Sequence, residues 1–125
     1  METNDKIAKR VLKTVCDYFE QPIEGVTSAS RKQHFVVPRK ISMKLIRENT
    51  TLSLECVGTY FKGEGRPHKD HATVLHACRS LNQLKDWKYG PRTIEEHIQV
   101  LRHKLQSETA KQWPIQVRRY KYEYK

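Results

Sequence analysis

Apolar residues recur along this chain at the three- and four-residue spacing of amphipathic helices, and strand-like alternation is absent. The first such stripe comprises Ile7, Val11, Val15 and Phe19. It predicts a helix over residues 4–20, which ends before Pro22 because a residue that precedes proline disfavours the helical conformation. Residues 23–26 are long enough for a single further turn.

A second stripe, with Val37, Ile41 and Leu45 on one face, predicts a helix that starts near residues 35–38 and runs to about residue 48. Pro38 is compatible with this helix only in its first turn, where the backbone N–H is not yet needed for an intrahelical bond. A polar loop precedes this helix.

The pattern over residues 53–86 predicts two helices joined by a turn. Ser53 is a favourable N-cap for a short helix over residues 54–61. Residues 62–69 are rich in Gly and Pro, which is typical of a turn. Asp70 can cap a longer helix that runs to about residue 86. A short helix, a turn and a longer helix together have the shape of a helix-turn-helix unit.

The C-terminal part of the chain predicts one more helix and a tail. Thr93 and Glu96 have the spacing of a capping box, which predicts a helix from residue 94 to about residue 106. Residues 108–125 are basic, rich in tyrosine and without clear period, and they form either a disordered tail or a docked extension. We therefore expect an all-α protein with one helix-turn-helix domain of about five to six helices over residues 1–107.

The net charge of the chain indicates which class of partner it binds. Of its 125 residues, 24 are Lys or Arg and 14 are Asp or Glu, which gives a formal net charge of +10. A basic excess of this size on a small domain indicates a polyanion, with nucleic acid ahead of an acidic membrane surface. The segment from residue 31 to residue 47 carries no acidic residue, and its basic residues are Arg31, Lys32, Arg39, Lys40, Lys44 and Arg47.

The sequence argues against a metal site and a disulfide framework. The three cysteines, Cys16, Cys56 and Cys78, lie far apart among apolar neighbours, so we expect buried, reduced thiols. His71 and His76 are five residues apart and do not share a helical face, which disfavours a zinc site there.

Several further classes of function lack their sequence signatures. The chain contains no nucleophile–histidine pattern with a supporting context and no carboxylate cluster for a metal, so we expect a protein that is not an enzyme and has no cofactor. No apolar run is long enough for a signal peptide or a membrane span, so we expect a cytoplasmic protein without membrane association.

The segment Asp70-His71-Ala72-Thr73-Val74-Leu75-His76-Ala77-Cys78-Arg79 resembles the signature Asp-His-Thr-Thr-Val-Leu-His-Ala of the C-terminal, DNA-binding domain of the bacterial replication initiator DnaA. That family also carries a basic loop followed by a Pro-Arg pair that opens a long helix, and Arg31-Lys32 and Pro38-Arg39 are similar to these. Phe61 matches the phenylalanine that ends the first helix of the motif. The resemblance covers residues 5–107 and implies the fold of that domain, a helix-turn-helix of the Trp-repressor type.

The resemblance also implies roles for individual residues. Arg31, beside Lys32, matches the arginine that the family inserts into the minor groove, a role that suits a guanidinium. Asp70, His71 and Ala72 match positions that contact bases in the major groove. Positions at or beside phosphate contacts are matched by Arg39, Lys40, Arg47, Lys69, Thr73 and His76. Arg79 is either a further phosphate contact or an intramolecular partner.

The chain departs from the family pattern in four ways. Residues 62–69 are several residues longer than the family's Gly-Gly-Arg link, and Arg66 there could add a contact. Ala72 replaces a threonine, which removes a hydroxyl at a base-contacting position, and Gln33 stands where the family has a basic residue. No G-x-x-x-x-G-K-[ST] motif is present, so we expect no nucleotide binding and interpret the chain as the DNA-contacting domain on its own.

The leading interpretation is sequence-specific binding of double-stranded DNA at a DnaA-box-like site, in replication initiation or its regulation, by a nucleoid-associated protein. A transcriptional regulator of a mobile element would use the same chemistry. A second class remains open, in which the fold serves as a helical adaptor whose protein partner binds residues 62–69 or the tail. Charge-driven binding to RNA or to any duplex is the third alternative.

Overall fold

The computed structural model describes residues 3–112, with side chains to residue 106, and they form two compact units that divide between residues 83 and 84. The first unit contains α1 (Asn4–Phe19), α2 (Ile23–Val26), α3 (Gln33–Asn49), α4 (Leu54–Gly58) and α5 (His71–Gln83). The second contains β1 (Lys88–Tyr89), β2 (Arg92–Thr93) and α6 (Ile94–Gln112). The prediction of an essentially all-α fold is confirmed.

The core of the first unit lies where α3 packs against α1 on one side and α5 on another, with α4 packed on α5. The predicted stripes supply it, because residues three and four apart on a helix share one face. Its fully buried side chains include Val11, Val15, Ile41, Leu45, Val57, Phe61 and Val74. The periodicity in the sequence therefore located these helices and the faces that they bury.

Helix α3 begins earlier than predicted and contains Pro38 in its second turn. The helix starts at Gln33, after Lys32 in extended conformation, so Pro38 is its sixth residue and not part of the first turn. A proline there cannot donate the intrahelical hydrogen bond to the carbonyl of His34. The expectation that placed Pro38 in the first turn is wrong, and its ring is buried in the core instead.

Helix α4 is shorter than predicted. It ends at Gly58, and the following backbone N–H groups bond carbonyls three residues earlier, as in Phe61 N–H to the Gly58 carbonyl (3.1 Å). Phe61 therefore lies beyond the α-helix rather than at its end, although its ring is buried as a core residue. Helix α5 likewise ends at Gln83, three residues short of the predicted end.

The second unit contains a hairpin that the sequence pattern did not predict. Lys88 pairs with Thr93 and Tyr89 with Arg92, around a turn in which Gly90 adopts φ +70°. The capping box that follows is confirmed: the Thr93 N–H donates to Glu96 Oε1 (2.7 Å), and the Glu96 N–H donates to Thr93 Oγ1 (3.1 Å). Helix α6 continues past the predicted end, to Gln112.

The cysteines differ in their burial. Cys16 is buried, and desolvation raises the pKa of its thiol to about 11. Cys78 is half-buried, and Cys56 is exposed on α4, so the expectation that all three thiols are buried is wrong for Cys56. Cys56 directly precedes the buried core residue Val57 but is itself turned toward solvent.

The described residues 3–112 contain no helix long and apolar enough to cross a membrane, and side chains up to residue 106 form no cluster of ligands suited to a metal ion. Most of the predicted tail, residues 113–125, lies outside the described residues. The domain boundary at residues 107–108 stays a prediction.

Candidate nucleic-acid interface

Close backbone contact joins the two helices of the helix-turn-helix unit. The Lys69 N–H, just before α5, donates to the carbonyls of Gly58 (3.2 Å) and Phe61 (3.0 Å). A Cβ atom on Gly58 would collide with the Lys69 carbonyl oxygen, so only glycine permits this approach. The end of the turn is thereby bonded to the end of α4, so α5 starts at a defined position relative to α4.

Asp70 caps α5, as predicted. Its Oδ1 atom accepts from the backbone N–H of Thr73 (2.9 Å) and from the Thr73 hydroxyl (2.8 Å). Its Oδ2 atom accepts from Arg66 Nη1 (3.2 Å). The hydrogen bond from the Thr73 backbone N–H is the main reason that the pKa of Asp70 is lowered, so the carboxylate is charged at neutral pH. One oxygen therefore serves the cap, and the other is held by a displaceable surface arginine.

The solvent-facing side of α5 carries the residues that the sequence singled out. Ala72, His76 and Arg79 follow one another at steps of four and three, so they share one face, and all are exposed. His71 and Thr73 are also exposed, at the N-terminal end of the helix. The opposite face is buried, which leaves the exposed one free to enter a groove.

Arg31 stands on the loop before α3 and makes a bidentate ion pair with Glu64 in the turn 62–69. Its Nη2 atom lies 2.7 Å from Glu64 Oε1, and its Nε atom lies 3.0 Å from Oε2. Both side chains are highly exposed, Arg31 at 83% and Glu64 at 62%. These hydrogen bonds lower the pKa of Glu64 and raise that of Arg31, so both groups are charged at neutral pH.

Arg39 is buried, contrary to its predicted role at a phosphate. Its side chain is only 6% exposed, and three of its nitrogens donate to backbone carbonyls. The acceptors are Val26 (2.7 Å from Nε), Ser30 (2.7 Å from Nη1) and Gly25 (3.3 Å from Nη2). Because the guanidinium is withdrawn from solvent and already bonded, it orders the chain that leads to Arg31 and is not placed to hold a phosphate.

The remaining predicted basic residues differ in exposure. Lys32, directly before α3, and Arg47, in its last turn, are exposed. Lys40 is half-buried. Lys69 is also half-buried, and desolvation, followed by repulsion from Arg39, lowers the pKa of its ammonium group. In the same block, Lys44 is occupied by an ion pair with Glu48 (3.3 Å).

The structure thus brings two predicted elements together through a segment whose role the sequence did not reveal. The turn 62–69 contacts Arg31 through Glu64 and Asp70 through Arg66. The Lys62 N–H also donates to the carbonyl of Thr27 (2.7 Å), which ties the turn to the loop before α3. Local pattern could not identify the Arg31–Glu64 pair, because its members are 33 residues apart.

The arrangement of α4, a fixed turn and the half-exposed helix α5 defines the class of this protein, which is a helix-turn-helix domain. The sequence model of the family described as "Bacterial dnaA protein helix-turn-helix" matches residues 8–81. The match includes α2, α3 and α4 entirely and most of α1 and α5. The chain belongs to this family.

Two chromosomal replication initiator proteins DnaA illustrate the relationship. The protein from Azoarcus sp. (strain BH72) is 33% identical over 93 residues, which are 74% of this chain and 18% of the relative. The protein from Nostoc punctiforme (strain ATCC 29133 / PCC 73102) is 33% identical over 105 residues, 82% of this chain and 21% of the relative. The chain thus spans about a fifth of the length of these relatives.

A solved structure agrees with the assignment. The crystal structure described as that of a DNA replication initiation factor superimposes with a TM-score of 0.66 at 28% sequence identity. The similarity covers 84% of this chain and 29% of the solved chain. The expected fold, that of the DNA-binding domain of DnaA, is confirmed.

Proposed function

We propose that this protein binds double-stranded DNA in a sequence-specific manner, with α5 in the major groove and the Arg31 loop in the adjacent minor groove. The observation that carries the proposal is the exposed N-terminal end of α5, where His71 and Ala72 follow a capped start. In helix-turn-helix proteins, the N-terminal residues of the second helix contact base edges. The basic excess of the chain supplies the phosphate attraction that such binding needs.

Individual roles follow from exposure and chemistry. The imidazole of His71 can bond base edges, as can the Oδ2 atom of Asp70 once Arg66 is displaced from it. The methyl group of Ala72 can contact a thymine methyl. The exposed groups that we propose as phosphate contacts are Lys32, Arg47, Thr73, His76 and Arg79. Lys40 and Lys69 belong to the same set with partial exposure. Arg39 is not among the proposed phosphate contacts, because its donors are bonded to carbonyls of the protein.

We further propose that the site resembles a DnaA box and that the binding serves replication initiation or its regulation. Support comes from the family membership and from relatives that are named chromosomal replication initiators. Binding of this kind would place the protein on the nucleoid. Regulation could operate by occupancy of sites that an initiator would otherwise fill.

Duplex binding at several salt concentrations tests the proposal. The full chain is titrated with a DnaA-box duplex and with a scrambled duplex of equal length, and single-stranded RNA serves as a third ligand. Specific readout predicts a higher affinity for the box at every salt concentration, with both duplexes weakening as salt rises because counterions are released. Equal affinities for the two duplexes would refute specific readout, and equal affinity for RNA would indicate charge-driven binding.

A further inference from the structure

The turn 62–69 lies between the two elements of the proposed interface, and its backbone is held in place. Its start is bonded to the loop before α3 through Lys62, and its end to α4 through Lys69. Within it, Gly63 and Arg66 form an isolated bridge, and Gly65 adopts φ +71° at the tip. These bonds hold the backbone of the turn, and with it Glu64, in a defined position beside the loop that carries Arg31.

The contact between Glu64 and Arg31 has the geometry with which arginine binds an anionic oxygen pair. Three donor–acceptor distances of 2.7–3.0 Å join the guanidinium to the carboxylate. Guanidinium groups use the same fork toward phosphates, so the carboxylate occupies the donors that DNA would need. Both groups are exposed, so water screens the pair and its net stabilisation is small, which allows DNA to displace the carboxylate.

Resting on the function proposed above, we infer that Glu64 is an affinity-determining residue, whose carboxylate competes with DNA for the Arg31 guanidinium. In the free protein Arg31 is paired with Glu64. In the complex Arg31 must leave this partner to enter the minor groove. The loss of the Arg31–Glu64 pair weakens binding and favours sites whose narrow minor groove attracts the guanidinium most strongly.

Glu64→Gln tests this inference, because it keeps the shape of the side chain and removes its charge. We expect a roughly two- to fivefold tighter Kd for the box duplex at low salt, with the gain shrinking as salt rises, since the pair is exposed and screened. Asp17→Asn is the matched control. It makes the same change in net charge and breaks a comparable exposed pair, with Lys13 on α1 (3.1 Å), so it should give a clearly smaller gain.

The Arg31→Gln background shows whether the effect passes through Arg31. In the Arg31→Gln background, Glu64→Gln should tighten the Kd for the box duplex much less than it does in the wild-type chain. Weaker binding of Glu64→Gln would overturn the inference, because Glu64 would then orient Arg31 for DNA. An undiminished gain in the Arg31→Gln background, or an equal gain with Asp17→Asn, would also overturn it. If the wild-type chain and Glu64→Gln both fail to bind any duplex, the proposed function itself fails, and the inference fails with it.

Discussion

Arg39 donates a hydrogen bond from its Nε–H to the backbone carbonyl of Val26 over 2.7 Å. This bond joins the interior of α3 to the last residue of α2. A second donor of the same guanidinium bonds the Ser30 carbonyl, directly before Arg31. A residue that the sequence assigned to DNA is therefore a positioning residue for the loop that carries Arg31.

Replacement of Arg39 tests this role. A lysine keeps the charge but cannot span three carbonyl acceptors, and a methionine keeps only the bulk. We expect both Arg39→Lys and Arg39→Met to lower the free energy of unfolding by about 2–4 kcal/mol, since charge-assisted bonds are lost and carbonyls are left unpaired. Chemical denaturation measures this loss.

The exposed Arg47 provides the control for that experiment. Arg47→Lys should leave stability nearly unchanged, because surface substitutions away from specific features have small effects. If Arg39→Lys retains both the stability and the DNA affinity of the wild-type chain, then Arg39 acts as a point charge and the positioning role is wrong.

His71 and His76 should separate base contacts from phosphate contacts. His71→Ala should weaken binding to the preferred duplex by about 1–3 kcal/mol and leave the scrambled duplex almost unaffected. His76→Ala, on the exposed face one turn further, should weaken both duplexes alike. Fluorescence anisotropy with the two duplexes measures these affinities. A loss from His71→Ala that is equal on both duplexes would contradict its assignment to bases.

Gly58→Ala should destabilise the helix-turn-helix unit. The added methyl group would meet the backbone carbonyl of Lys69, which cannot move without shifting the start of α5. We expect a loss of about 1–3 kcal/mol in the free energy of unfolding, in the range of overpacking substitutions. Glu55→Ala, at an exposed position of the same helix, serves as the control for a change in α4 alone. Equal stability of the two variants would show that this backbone contact can relax.

Asp70 links the stability of α5 to acid pH. Its pKa is held below the ordinary value of 3.8, chiefly by the Thr73 backbone N–H. A carboxyl whose pKa is depressed in the folded state stabilises it fully above the unfolded-state pKa. That contribution is lost as the pH falls below about 3.8, through the folded-state value. Asp70→Asn retains a capping oxygen without this titration.

Thermal unfolding of wild type and Asp70→Asn between pH 5 and pH 2.5 measures this dependence. The advantage of the wild-type chain over the variant should be constant at the upper end and should shrink as the pH falls. Asp70→Ala removes the capping oxygen and should be less stable than wild type at neutral pH. A difference between wild type and Asp70→Asn that stays constant across the range would exclude a role of the Asp70 charge in the cap.

Local sequence rules located the helices and three of their N-caps, although not all of the helix ends. The stripes through Val11 and Ile41 gave the buried faces, and the capping residues Ser53, Asp70 and Thr93 marked three helix starts. These signals depend on residues within four positions of one another, so they can be recognised without knowledge of the rest of the fold. The two-residue strands of the hairpin are too short to show alternation, and they escaped prediction for that reason.

The sequence by itself determined the all-α architecture, the helix-turn-helix unit and the family, because helical periodicity and a ten-residue signature are contiguous or nearly so. Only the tertiary structure decided which basic residues face solvent. Arg39 and Arg31 belong to one acid-free block, yet the first is buried among carbonyls and the second pairs with Glu64 across 33 residues. Burial and long-range pairing depend on which backbone segments meet in space, and charge pattern along the chain carries no information about that.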